Sequence, residues 1–228
     1  MKPGHIITLL FVSLFALIIF SCNTVTPGKR HLVIESLQTN TEASIRAIYV
    51  VDTNVVWAGG SDGTYLLTTD RGESWKTGQV PGAEEDDFRS IYAWDSQHAL
   101  VFGVSTPGRG YYTSTSGEDW VVVYENDAKG IFFNSLRFAD ISRGIALSDA
   151  VDSVPFVIKT VNGGFSWERL TDLPVLNDKE FHFAASNSCI EYLASGRIWI
   201  ITGGGDARVY SSPDNGLNWS VAETDITH

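Results

Sequence analysis

Cysteine is nearly absent from this chain. Only Cys22 and Cys189 occur among 228 residues. No disulfide framework and no cysteine zinc cluster can be assembled from two thiols. Basic residues are also scarce. Lys and Arg total 16 against 27 Asp and Glu, a formal charge of −11. Residues 1–21 hold one Lys and no acid, so the remainder carries 15 basic against 27 acidic residues, net −12. Such a surface repels phosphate backbones, which argues against nucleic acid as a partner. The histidines, at 5, 31, 98, 182 and 228, show no paired spacing, so neither a metal site nor a cofactor is expected. Long hydrophobic runs stop at residue 20, and no sustained helical period follows the first segment.

What is present points to β-structure. Hydrophobic residues make up 43%, enough for a packed core. Abundant Gly (21), Tyr (8) and Trp (7) favour strands separated by many turns.

The first segment reads as an address. Lys2 and His5 precede an apolar run over residues 6–20, interrupted by Thr8 and Ser13. That run matches a signal h-region and is short for a spanning helix. It ends in Ile19-Phe20-Ser21-Cys22, which resembles the lipobox of bacterial lipoproteins. The resemblance implies lipidation of Cys22, which becomes the mature N-terminus and anchors the chain to a membrane without a spanning helix. Asn23 rather than Asp follows the cysteine, which directs the expectation to the outer membrane of a bacterial envelope. Cys189 then stands alone, and a buried, unreactive thiol is expected there.

Four segments repeat one pattern: Thr68-Thr-Asp70-Arg-Gly72-Glu-Ser74-Trp75, Thr113-Ser-Thr115-Ser-Gly117-Glu-Asp119-Trp120, Thr160-Val-Asn162-Gly-Gly164-Phe-Ser166-Trp167 and Ser212-Pro-Asp214-Asn-Gly216-Leu-Asn218-Trp219. The tryptophans are spaced by 45, 47 and 52. In each turn the acid or amide is expected to fold back onto backbone amides. Gly takes an angle that a Cβ forbids, and Trp opens a strand and packs between sheets. Thr115 stands where the others carry Asp or Asn, so the second turn is expected to be the weakest. The pattern resembles the Asp-box, or bacterial neuraminidase repeat, of β-propellers. Between boxes the first unit reads as strands over 45–51, 55–59, 64–69 and 74–77, and similar quartets are expected from Arg89, Leu136 and Phe181. Insertions at 82–87 and 173–180 are acidic and expected to be exposed.

Within that family the chain looks like the propellers related to the photosystem II stability and assembly factor. The likeness rests on Ile45-Arg-Ala-Ile-Tyr49 with Val56-Trp-Ala-Gly-Gly60, on Phe88-Arg-Ser-Ile-Tyr92, on Gly203-Gly-Gly-Asp-Ala-Arg-Val-Tyr210 and on Phe183-Ala-Ala-Ser186. It implies a scaffold that binds other proteins or assists assembly, not a catalyst. Relatives usually have more blades. The expectation is therefore all-β: a partial propeller of about four blades over 44–228, after a signal peptide over 1–21 and a lipidated tether with an N-terminal strand (32–37) over 22–43.

Arg46 and Arg89 occupy matching positions in the first strands of two units, and Arg137 is displaced along the third. First strands line a propeller's channel. Two readings are open: a basic spot for a carboxylate or acidic peptide, or arginines neutralised by neighbouring Asp. The partner expected is an unidentified protein or carbohydrate. The rival function is an exo-acting glycoside hydrolase, sialidase-like, from Arg46, Arg89, Arg137, Tyr49 and Tyr92, or with paired acids from Asp149, Asp152 and Asp206. Gly203-Gly-Gly-Asp206 lacks the Lys and the following helix of a phosphate loop and is expected to be a turn.

Overall fold

The computed structural model describes residues 33–183 and 187–225. Cys22, the signal segment and residues 184–186 lie outside them. The blades belong to a unit that begins at Leu37. Among the described residues no helix forms, and the strands build four antiparallel sheets of four strands each.

The first blade is β1 (Ile45–Val50), β2 (Val56–Gly60), β3 (Thr64–Thr68) and β4 (Lys76–Gln79). The second is β5 (Ser90–Ala93), β6 (Ala99–Phe102), β7 (Gly108–Thr113) and β8 (Val121–Asn126). The third is β9 (Phe133–Phe138), β10 (Gly144–Val151), β11 (Val154–Thr160) and β12 (Glu168–Leu170). A two-residue ribbon, β13 (Glu180–Phe181) with β16 (Gly203–Gly204), accompanies the fourth blade, which is β14 (Ile190–Tyr192), β15 (Ile198–Ile201), β17 (Arg208–Ser212) and β18 (Ser220–Glu223). Strands within each blade are ordered as simple meanders.

Three expectations need correction. The fourth blade starts at Ile190 rather than Phe181, because Glu180–Phe181 pairs sideways with Gly203–Gly204. The third starts at Phe133 rather than Leu136. Residues 33–37 form no strand. Instead, a methyl of Leu37 fills the space beside the Cα of Gly72, and Thr77 Oγ1 donates to the Thr39 carbonyl (2.6 Å).

Middle strands are buried on both faces, as in β3 (Thr64–Thr68) and β6 (Ala99–Phe102), so they read as continuous apolar runs. Outer strands such as β4 are wet. The core is three separate clusters, one at each blade junction. Trp57, Tyr65, Ile91, Val101 and Tyr111 join the first blade to the second. Leu100, Phe102, Phe133, Leu136 and Phe156 join the second to the third. Leu147, Val157, Ile190, Ile198 and Tyr210 join the third to the fourth. Inner strands follow the same order: β1 packs on β5, β5 on β9 and β9 on β14, with no comparable packing of β14 on β1. The blades form an open arc.

The box tryptophans tie each blade to the one before it. Trp120 lies 5.3 Å from Tyr65 and 6.4 Å from Trp57 between ring centroids, and Trp167 lies 5.3 Å from Phe102. Gly117, at φ +82°, sits against the Tyr65 ring, where a Cβ has no room. Tyr65 Oη completes that contact by donating to the Gly117 carbonyl (2.7 Å).

The inserted segments 82–87 and 173–180 are largely exposed, as expected, with Gly82, Glu84, Glu85, Val175 and 177–179 in water, but each turns one acid inward. Asp86 is buried and accepts from Tyr111 Oη (3.0 Å) and from Ser105. Glu180 is buried and accepts from Arg208 (2.5 Å), Thr202 and the Asn177 amide (2.7 Å). A buried carboxyl needs polar partners: Glu180 has an ion pair with Arg208 as well as hydrogen bonds, and Asp86 has the neutral donors Ser105 and Tyr111.

Candidate functional site

The candidate arginines lie on or beside the innermost strands. Arg46 is on β1, Arg89 immediately precedes β5, and Arg137 is on β9. One carboxylate joins the first two. Asp87 Oδ2 accepts from Arg89 Nη2 (3.0 Å) and Nε (3.1 Å), and Arg46 Nε lies 3.7 Å from the same oxygen. The Arg89 guanidinium also covers the Phe132 ring, 5.2 Å from its centroid. Two guanidiniums against one carboxylate leave a local excess of positive charge on an acidic protein.

Arg137 does not join that pair. Its Nε lies 3.7 Å from Glu191 Oε2 on β14. Nor are Asp52 and Asp95, six residues after Arg46 and Arg89, their partners. Each caps a hairpin turn: Asp52 Oδ1 accepts from the amides of Asn54 (2.7 Å) and Val55 (2.9 Å), and Asp95 Oδ1 from those of Gln97 (2.7 Å) and His98 (2.8 Å). Asp87 supplies the counter-charge from within the 82–87 insertion.

The arrangement does not suit a tyrosine nucleophile. Tyr49 and Tyr92 stack with centroids 4.5 Å apart. Burial, then the hydrogen bond that the Tyr92 hydroxyl makes to Tyr49, pushes the Tyr92 phenol far above its ordinary range, and the Arg137 charge does not offset them. A nucleophilic phenol needs the opposite shift. The candidate acids are individually engaged: Asn134 Nδ2 donates to Asp149 (3.0 Å), and Asn177 Nδ2 donates to Asp206 (2.9 Å). Asp152 sits in the β10–β11 hairpin at φ +52°. Cys189 is a free, buried thiol that donates to the Phe183 carbonyl, and burial pushes its pKa up. Among the described residues no three His, Cys, Asp or Glu side chains converge as a metal cradle.

The turn residues take the roles their pattern suggests. Asp70, Asn162 and Asp214 accept the amide four residues on, from Ser74 (2.9 Å), Ser166 (3.0 Å) and Asn218 (2.8 Å). Trp120, Trp167 and Trp219 donate Nε1 to the carbonyls of Gly117, Gly164 and Gly216. Trp75 Nε1 has no such partner among the described residues, although it stands beside Gly72. The sequence reading missed the buried carboxylates Asp86 and Glu180. A faint signal existed in Arg109-Gly-Tyr111 and Arg208-Val-Tyr210, equivalent strand positions whose tyrosines each reach one of these acids (3.0 and 3.5 Å).

No protein-family model matches the chain. Over 52 residues it is 38% identical to the photosystem II assembly lipoprotein Ycf48 of Synechococcus sp. (strain CC9902). That stretch is 23% of this chain and 15% of the relative, so the match spans a small part of the relative's length. Among solved structures, YCF48 from Cyanidioschyzon merolae superposes with a TM-score of 0.60 at 16% identity, over 85% of this chain and 60% of that one. YCF48 bound to a D1 peptide gives 0.50 at 18% identity, over 83% and 72%. An ancestral GH74 enzyme gives 0.56 at 16% identity, over 81% and 26%. At these identities the superpositions speak for the fold alone, and they agree that it is a β-propeller.

Proposed function

We propose that the chain is a non-catalytic scaffold of the bacterial envelope, lipid-anchored through Cys22, that binds an acidic segment of another protein at the Arg46–Arg89 pair. The observation that carries this reading is the sharing of Asp87 by two guanidiniums, one on β1 and one just before β5. One carboxylate neutralises one of them, and the excess charge attracts a second carboxylate from outside. Arg46 is the more exposed of the two, with 42% of its side chain accessible. Support from outside the chain is the peptide complex of the structurally similar YCF48 and the local likeness to an assembly lipoprotein.

Fluorescence anisotropy with a labelled Glu-rich peptide tests the site. Saturable binding is expected, weaker by about tenfold or more in the Arg46→Gln/Arg89→Gln variant, as befits a lost charge-assisted contact. Equal affinity in the double variant rejects the site. For the anchor, labelled palmitate fed to cells is expected to mark the wild-type chain and not Cys22→Ala. Labelling of both rejects lipidation at Cys22.

A further inference from the structure

A second site lies where the β10–β11 hairpin meets the inserted segment 173–180. A cavity of about 650 Å³ opens there, within the range of small-molecule sites. Its walls include Asp149, Leu176, Lys179, Glu180, Phe181 and His182. His182 is only 6% exposed, and neither Nδ1 nor Nε2 has a hydrogen-bond partner among the described residues. Leaving a buried imidazole unpaired on both sides is costly, and native proteins rarely do so without a ligand or water to complete it.

The charge of the site sets its preference. Glu180 is neutralised by Arg208, which reaches in from β17 at 2.5 Å. Lys179 and Asp178, of opposite charge, are both exposed on the rim. Asp149 is left: it holds one hydrogen bond from Asn134, burial raises its pKa, and Arg89, itself bonded to Asp87, is near enough to act on it by charge but makes no ion pair with it. Burial, the main cause, pushes the His182 pKa down to about 4, despite the opposing pull of Glu180, so the imidazole is neutral near pH 7 and offers one acceptor nitrogen. Phe181, 57% exposed, and Leu176 supply apolar walls.

We infer that this cavity binds an organic cation on an alkyl stem, an ammonium or guanidinium whose N–H groups donate to Asp149 and His182 while the stem lies on Phe181 and Leu176. A carboxylate, a neutral imidazole acceptor and an exposed aromatic face are the groups that recognise such a cation. An anion is opposed by Asp149. The cation can come free, as a polyamine, or as a Lys or Arg side chain of a peptide. The site shares no residue with the arginine pair, although Arg89 acts on Asp149 by charge, so the probes here are cations and the peptide that tests the arginine pair is an anion.

Titration of the ¹³C-labelled His182 imidazole by NMR, at pH 7, tests the inference with two probes: agmatine, and the blocked tripeptide acetyl-Gly-Arg-Gly-amide. Saturable shifts of the His182 signals are expected with at least one, and the tighter probe identifies the source. Asp149→Asn is expected to weaken binding by about tenfold or more, and N-butylacetamide, a neutral probe of similar length, is expected to leave His182 unmoved. The wild-type titration keeps the test open if the variant folds poorly. The inference is overturned if neither cationic probe saturates the shifts below about 10 mM, where affinity is negligible, or if the neutral probe binds as well.

Discussion

At the scale of single residues, the second inserted segment holds Glu180 by opposing effects of different size. Burial alone raises the pKa of Glu180. Hydrogen bonds from Arg208, Thr202 and the Asn177 amide outweigh it and hold the group below its ordinary 4.5. Its stabilising effect is therefore complete above pH 4.5 and is lost as pH falls through the folded-state value. His182 acts in a higher window. Its pKa falls from 6.5 to about 4 on folding, so between those values the unfolded chain binds the proton and the folded chain does not. Stability then drops on acidification, by on the order of 3 kcal/mol across that window. Urea midpoints measured from pH 7 to pH 4 are expected to decline in the wild type and to decline less in His182→Gln. Equal slopes exclude His182 as the source. None of this was legible from sequence. Acid-rich stretches such as Glu84-Glu-Asp86-Asp87 look solvated, because nothing local shows that Tyr111 lies over Asp86, or that Arg208 lies over Glu180, 28 residues apart in the chain.

At the scale of the element, the repeat was legible and its mechanism only partly so. The acid or amide at the third box position does accept a backbone amide, as the pattern implies. Yet the contact made in the same way by all four turns comes from the first position. Thr68, Thr113, Thr160 and Ser212 are buried, and each hydroxyl accepts the amide of the box glycine at 2.9 to 3.0 Å. The second turn keeps this bond. Thr115 Oγ1 also accepts the Asp119 amide (2.8 Å), but the side-chain link from position three to position seven seen in the other turns is missing. Removing the first-position hydroxyl strands a buried N–H. Thr160→Val and Thr113→Val are therefore each expected to cost about 1–3 kcal/mol in chemical denaturation. If Thr113→Val is neutral while Thr160→Val is not, the second turn does not depend on this bond.

At the scale of the whole molecule, four boxes gave four blades, and three junction clusters follow from three adjacencies. The start of the fourth blade was hidden because β13 interrupts the sequence with a ribbon that pairs outside it. Asn187 shows how the chain enters that blade: its Nδ2 donates to the Ile91 carbonyl (2.7 Å) and its Oδ1 accepts the Leu136 amide (2.9 Å), binding β5 to β9 from a fourth-blade residue. The arc leaves the outward positions of β1 uncovered, with Ile48 58% and Val50 61% exposed beside Ile45. Apolar surface on an inner strand has no reason to remain wet when another surface can cover it. A net charge of −12 on residues 23–228 opposes close approach of two copies, and that repulsion is screened by salt. The chain without residues 1–22 is therefore expected to self-associate reversibly in sedimentation equilibrium, more at high salt than at low. Ile48→Lys/Val50→Lys is expected to be monomeric with unchanged thermal stability, since neither side chain packs into a junction cluster. Association that persists in the double variant, or that weakens with salt, places the contact elsewhere on the arc and makes it electrostatic rather than apolar.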